Sequence, residues 1–274
     1  MQVSRDSTFL EDSEDDSAIS SHDWKVEQAL KRHGRVIFDF WRFLHDFPMM
    51  GLAHPVGRKI IRELKSSPKT VLGEGHWFRA NQKREFLTSR PPHELVPEQR
   101  YNSSGQPHLY LSNNAKCAVA ESTYNKETKT AWVQRFQIER LENVLDLRPW
   151  NDEDENVDEK DERCSLFLMA IIFCDLLTQC PEHYFNGEHE KEIKWKCAYL
   201  MPRFVAEAAR YSGFSGVLYS SIRYRWQNLV VFDYDWNPKT NGDSYELSLT
   251  QEDLIVEGNF VFNQGERGFI LSGN

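Results

Sequence analysis

The sequence predicts a mixed α+β domain behind an N-terminal helical region, because segments with helical and with strand periodicity alternate in irregular order. The chain has 274 residues, of which 40% are hydrophobic and 27% charged, as in folded globular proteins. Its one GxG motif, at Gly73 and Gly75, runs into His76-Trp77-Phe78 without a third glycine. A doubly wound dinucleotide-binding sheet is therefore not expected.

The N-terminal part divides at about residue 24. Residues 1–23 contain seven acidic residues against one arginine, a net charge of -6, and predict a disordered acidic tail. Residues 24–70 predict a helical region: apolar residues recur at helical spacing from Trp24 and stop before Pro48, and a second short helix is expected at 56–64.

Residues 71–274 predict the main domain, in which short apolar strands and helices alternate. An acidic stretch interrupts the domain at 151–163. It contains eight acidic and two basic residues and predicts a solvated loop. The expected strands are 76–80, 109–112, 131–138, 216–219, 229–232 and 259–262, and the expected helices are 115–124, 166–177 and 201–211.

Charge and cysteine usage exclude several classes of protein. The total net charge is -9, and because the tail and the acidic stretch carry -6 each, the remainder carries +3. This mild surplus suits an anionic ligand but is too small for a nucleic-acid-binding protein. Five cysteines without a CxxC pair argue against a disulfide framework and against a zinc site, so no metal is expected.

The targeting signals point to a cytoplasmic protein. An acidic N-terminus lacks the basic start of a secretory signal, and the longest apolar run, 166–174, is too short to cross a membrane. The odd cysteine count fits a reducing compartment. The sequence leaves the oligomeric state open, including a homo-oligomer.

One segment combines turn residues with phosphate-binding chemistry. Residues 100–111 read Arg-Tyr-Asn-Ser-Ser-Gly-Gln-Pro-His-Leu-Tyr-Leu. Backbone geometry alone explains a glycine and a proline in such a turn. An arginine beside several hydroxyls is also a common way to hold a phosphate group.

This segment resembles the RES domain family, whose members carry an R-(aromatic)-N-x-x-G-x-P-x-L-Y-L stretch before a helix with A-x-A-E. Here the helix reads Cys-Ala-Val-Ala-Glu, ending at Glu121. Upstream, Trp-Phe-Arg-Ala at 77–80 resembles the family's first arginine on an early strand. Downstream, 213–221 resembles its G-(F/Y)-D-G-I-x-Y-P-S block, and 228–232 its N-x-V-x-F ending. Four blocks in order over about 75–235 make the resemblance specific.

The resemblance implies a fold like that of the ADP-ribosyltransferases and an enzyme that degrades NAD, by hydrolysis or by phosphorolysis. NAD is then a substrate, no bound cofactor is expected, and inorganic phosphate is a candidate co-substrate. The family's members often act as toxins that an Xre-type antitoxin neutralises, so the resemblance implies a growth-inhibiting toxin or defence effector, with an antitoxin or an immunity protein as its partner. The expected site involves neither nucleic acid nor membrane.

The same resemblance assigns the candidate site residues. Glu121 is expected to stabilise the positive charge that develops on the ribose. By spacing alone it is typical of a solvated helix residue. The remaining candidates are Arg79 and Arg100 for the pyrophosphate or phosphate, Tyr110 beside the nicotinamide, Ser221 as a hydrogen-bond donor to substrate, and the weaker Tyr101 and Asn228.

Three positions depart from the family pattern. Ser220 replaces the usual proline, Ser215 the aspartate, and Arg203 a frequent glutamine. The first two predict a differently shaped loop before Ser221.

Two other functions stay open at this stage. Transfer of ADP-ribose to a protein usually requires an E-x-E pair on a strand, and here such pairs occur only in polar stretches, at 153/155, 188/190 and 190/192. A non-catalytic interaction module would instead use the acidic stretch and the helical region as its binding surfaces.

Overall fold

In the described residues, eight strands form a single sheet in the order β1-β5-β6-β7-β3-β2-β4-β8. The computed structural model describes residues 21–87, 91–123, 129–149, 164–177, 197–221, 226–234 and 245–249. Among these eight described strands, β5 and β6 are the only parallel neighbours, and the other adjacent pairs run antiparallel. The strands are β1 Thr70–Leu72, β2 Gly75–Asn81, β3 Leu109–Ser112, β4 Thr130–Ile138, β5 Leu141–Asp146, β6 Gly216–Ser220, β7 Gln227–Val231 and β8 Tyr245–Ser248.

The described residues also form five α-helices, so the predicted mixed α+β fold is confirmed. Local capping fixes where two of them begin. The His54 ring accepts a hydrogen bond from the Val56 amide at the start of α2, and the Asn114 side chain accepts from two amides of α3. The helices are α1 Ser21–Asp46, α2 Pro55–Ser66, α3 Ala115–Ser122, α4 Leu166–Ile172 and α5 Leu200–Tyr211.

The main core lies between one part of the sheet and four of the helices. One hydrophobic cluster contains the fully buried Val217 of β6 and Val230 of β7 together with Ile37 and Phe40 of α1 and Phe204 of α5. The rings of Phe40 and Phe204 meet edge to face at 4.9 Å between centroids. The N-terminal helices therefore share one hydrophobic core with the sheet.

The structure corrects several predicted boundaries. Helix α1 begins at Ser21, so the last three residues of the predicted tail are helical, and His22 is buried. Helix α4 ends at Ile172, and a separate 3-10 turn at Asp175–Leu177 replaces its predicted last turn. Strands β1, β5 and β8 were not predicted. The tail up to residue 20, the acidic stretch 151–163 and the candidate strand 259–262 lie outside the described residues.

Within the described ranges, no helix combines the length and the apolar character that a membrane crossing requires.

Candidate active site

A cavity of about 720 Å³ lies in the sheet where β2 and β3 separate, a size typical of small-molecule sites. The two strands share the pair Phe78–Ser112, whereas β2 pairs with β4 along its full length. Beyond that pair, residues of both strands line the cavity. We call the side at Phe78 and Ser112 the closed end and the side at Asn81 and His108 the open end.

Glu121 lies on the cavity wall at the last turn of α3. The helix is anchored by Cys117 and Val119, which are fully buried. The Glu121 Oε1 atom accepts hydrogen bonds from the Ser221 hydroxyl at 2.6 Å and from the Asn228 amide at 2.8 Å. No hydrogen bond from another described residue reaches Oε2. One carboxylate oxygen is thus fixed by the protein, and the second is available to a ligand.

A second layer of polar groups fixes Asn228 in turn. Its Oδ1 atom accepts from the Ser112 hydroxyl and from the Cys117 thiol, the latter at 3.6 Å. All three residues are buried. Burial, reinforced by the nearby Glu121, raises the pKa of Cys117 to about 12, so this side chain remains a neutral thiol. We refer to Ser112, Cys117, Glu121, Ser221 and Asn228 as the closed-end network.

Two arginines place positive charge on the cavity wall. Arg79 comes from β2, where burial lowers its pKa to about 10 and leaves it protonated at neutral pH. The Arg100 Nη1 atom donates to the Leu177 carbonyl at 2.6 Å, and its guanidinium carbon lies 5.5 Å from the centre of the Tyr199 ring. Both guanidinium groups are therefore held by the fold and can attract an anion.

Three tyrosines form the neighbouring wall and the layer behind it. The Tyr110 hydroxyl donates to the Asn102 side chain at 2.8 Å and accepts from the Tyr101 amide at 3.1 Å. The rings of Tyr101 and Tyr219 lie 4.6 Å apart. Burial raises the pKa of Tyr101 to about 12 and the pKa values of Tyr110 and Tyr219 well above their usual range. All three phenols are neutral at physiological pH.

The structure brings the predicted site residues together from five separate parts of the chain. Those on the cavity wall are Arg79, Arg100, Tyr110, Glu121 and Asn228.

Two predicted residues lie directly behind that wall. Tyr101 donates its backbone amide to Tyr110, and Ser221 donates its hydroxyl to Glu121. The sequence analysis assigned the Ser221 hydroxyl to the substrate, whereas the structure directs it to the carboxylate. Its position fits a residue that orients Glu121.

Sequence reasoning missed four residues that shape the site. Asn102 lies within the 100–111 segment that resembles the family, and Ser112 follows it directly. Cys117 belongs to the helix block that resembles the family. The motifs therefore marked the neighbourhood of these three residues. Tyr199 lies in no recognised block, and only the fold places it beside Arg100.

Arg203, which stands where many family members have glutamine, makes two polar contacts in the structure. Its Nη1 atom lies 2.8 Å from the Glu98 carboxylate, and its Nε donates to the Tyr199 carbonyl at 3.2 Å. The substituted arginine thus braces the segment before Arg100 against the helix that follows Tyr199.

Comparison with known proteins identifies a family and finds similar solved structures. Residues 76–249 match the family model described as the RES domain, a range that contains every predicted site residue and leaves α1 and α2 outside. The comparison with curated proteins gives no match. Among solved structures, the chain is similar to one in the M. tuberculosis MbcT-MbcA toxin-antitoxin complex, at 15% identity and a TM-score of 0.42, over 72% of this chain and 97% of that chain.

Proposed function

Because the chain belongs to the RES domain family, we propose that it is an enzyme that degrades NAD by breaking the bond between nicotinamide and ribose. The observation that carries the proposal is the state of Glu121. This carboxylate lies on the wall of a cavity with two arginines, and its second oxygen makes no hydrogen bond to any other described residue.

The chemistry of the reaction explains why such a carboxylate accelerates it. As the glycosidic bond lengthens, positive charge develops on the ribose ring, as in the oxocarbenium-like transition states of other glycosidases. A carboxylate held beside the ring stabilises this charge more in the transition state than in the bound substrate. In this proposal Glu121 Oε2 faces the ribose, either opposite the developing charge or bonded to a ribose hydroxyl.

Ser221 and Asn228 have a positioning role in this scheme. Both donate to Oε1, so they fix the plane of the carboxylate before the substrate arrives. A preorganised charge needs no rearrangement during the reaction, which is the main advantage of an enzyme site over water.

The arginines and Tyr110 bind and orient the substrate. Arg79 and Arg100 carry the positive charge that the pyrophosphate of NAD, or an incoming phosphate ion, requires. The Tyr110 hydroxyl donor is already used by Asn102, so Tyr110 contributes through packing beside the nicotinamide. Because attraction between its ring and the cationic nicotinamide weakens as the leaving group becomes neutral, Tyr110 serves binding rather than acceleration.

The cellular role that we propose is growth inhibition through loss of NAD, with an antitoxin as the neutralising partner. Residues 71–274 would be the catalytic domain, and the helical region and acidic stretch would serve partner binding or regulation. Expression without a neutralising partner should lower cellular NAD before viability falls, and the Glu121→Gln variant should be tolerated.

Incubation of the purified full chain with NAD, with and without inorganic phosphate, tests the proposal. Free nicotinamide in both conditions, with ADP-ribose as the second product, indicates hydrolysis; a phosphorylated ribose product that requires phosphate indicates phosphorolysis. NAD that remains intact under both conditions, in a folded sample, contradicts the proposal. Label from NAD that becomes attached to a macromolecule would instead favour ADP-ribosyl transfer.

A further inference from the structure

The two ends of the cavity differ in their side chains. The closed-end network lies where Phe78 pairs with Ser112. Asn81, at the end of β2, is three residues further along, or about 10 Å at the usual rise of a strand. The two ends are therefore far enough apart to hold different parts of one elongated ligand.

Apolar side chains line part of the open end, beside the polar residues Asn81 and His108. Segments 84–87 and 91–97 follow β2 and contribute several apolar lining residues, and one of these, Leu95, is 66% exposed. We call this group the apolar rim, and its members are Phe86, Pro92, Leu95 and Pro97.

Hydrogen bonds to the 102–105 turn hold the rim in place. The Val96 carbonyl accepts from the Gly105 amide at 3.1 Å and from the Ser104 hydroxyl at 3.2 Å. The Pro97 carbonyl accepts from the Asn102 side chain at 3.0 Å. Because Asn102 also binds Tyr110, the rim and the polar wall are parts of one hydrogen-bonded unit.

We propose that the apolar rim binds the adenine base of NAD, an inference that rests on the proposed function. If the scissile bond lies at Glu121, the nicotinamide occupies the closed end. Arg79 follows Phe78 directly on β2, between the closed end and Asn81, where a pyrophosphate in the middle of the dinucleotide requires a cation. The remaining part of the ligand is a flat, uncharged base, which gains from covering exposed apolar side chains.

The order along β2 distinguishes this arrangement from its reverse. A dinucleotide bound in the opposite sense would place adenine at the carboxylate and the cationic nicotinamide against the apolar rim. The reacting bond would then lie far from Glu121, and the cation would lose hydration without a counter-charge.

A substrate comparison tests the proposal. The Leu95→Asn variant replaces an exposed apolar side chain and is expected to fold normally, and Val71→Asn is its matched control because Val71 is also exposed and lies outside the cavity. The substrates are NAD and nicotinamide mononucleotide, which has the same scissile bond but lacks the adenosine part. We expect Leu95→Asn to raise the KM for NAD about fivefold with kcat unchanged, and to leave the KM for nicotinamide mononucleotide unchanged.

Two results would overturn the assignment while the enzyme remains active: equal effects of Leu95→Asn on both substrates, or no effect on either. If the wild-type protein cleaves neither substrate, the proposed function fails. Titration with AMP then tests separately whether the apolar rim binds adenine. Weaker AMP binding by Leu95→Asn than by Val71→Asn supports an adenine site. Absent AMP binding, or equal binding by both variants, rejects it.

Discussion

The closed and open ends of the cavity are built on different physical principles. At the closed end, Ser112, Cys117 and Asn228 are buried, and their polar atoms are paired with one another and with Glu121. At the open end, Leu95 leaves 66% of its surface exposed. A buried polar network has one low-energy arrangement, because each unpaired group would cost free energy. An apolar rim accepts many small changes at little cost.

This difference separates two tasks that an enzyme performs on one substrate. Geometry at the reacting bond must be accurate, since small displacements of a catalytic group cost large factors in rate. Binding of a distant substrate part requires mainly contact area. Substitutions at the closed end should therefore change kcat, and those at the open end should change KM.

The largest expected effect comes from removing the charge of Glu121. Glu121→Gln preserves the shape of the side chain and an oxygen that can accept from Ser221 and Asn228, but it provides no negative charge. We expect kcat for NAD cleavage to fall about 10²–10³-fold, with little change in KM or in the free energy of unfolding. Steady-state kinetics with NAD measure the effect.

The matched control is Glu142→Gln, since Glu142 is an exposed carboxylate paired with Arg140 on the surface. Full activity of Glu121→Gln would show that the reaction does not require a negative charge at the closed end. It would contradict the assignment of catalysis to the closed end and of binding to the open end.

Asn228→Ala should have the second-largest effect, because Asn228 connects Glu121 to Ser112 and Cys117. The variant leaves buried polar groups without partners, so the free energy of unfolding should fall by about 1–3 kcal/mol. Loss of one of the two donors to Glu121 should also lower kcat about 10–100-fold. Urea unfolding and steady-state kinetics measure the two effects, and a change confined to KM would contradict a positioning role.

Ser221→Ala removes the other donor to Oε1 but leaves the Asn228 contact intact. A hydrogen bond to a charged group contributes about 1.5–3 kcal/mol, so a kcat decrease of about tenfold is expected, with KM unchanged. Ser66→Ala, at the exposed end of α2, is the control. If the Ser221 hydroxyl instead binds substrate, as the sequence analysis predicted, KM will rise in the variant.

Periodicity predicted five of the eight described strands and missed β1, β5 and β8, two of which are the edges of the sheet. The pattern at 109–112 predicts strand β3 with its observed bounds. Four residues of a strand-like pattern, bounded by turn residues, are enough to predict a short strand. Strands β1 and β8 have three and four residues and lie at the two edges of the sheet. They form by pairing with β5 and β4, and such pairing leaves little local pattern in a sequence.

The candidate site was predictable only where a motif marked it. Arg79, Arg100 and Glu121 each lie in a recognised block, and the structure places all three on one cavity wall. The link from Ser112 to Asn228 joins residues 116 positions apart and depends on the register of β3 with β7. The register of two strands cannot be read from a single sequence. The closed-end network could therefore be identified only from the structure.

His108, at the open end, offers the smallest and most specific test. Burial, together with the nearby Arg210, lowers the pKa of His108 to about 4, while Asp233 opposes the shift. Because the folded pKa lies below the usual value of about 6.5, the unfolded chain takes up a proton first as the pH falls, and the protein loses stability between pH 6.5 and 4.

His108→Gln removes this titration and keeps a polar side chain. The loss in free energy of unfolding between pH 7 and pH 5, measured with urea, should be smaller in the variant by about 1 kcal/mol. His45→Gln is the control, since His45 is exposed on α1. The closed-end variants should not reproduce this pH effect, because His108 lines the opposite end of the cavity. An identical pH dependence of His108→Gln and wild type would show that the His108 ring takes up a proton as readily in the folded protein as in the unfolded chain, and would contradict the burial of this ring.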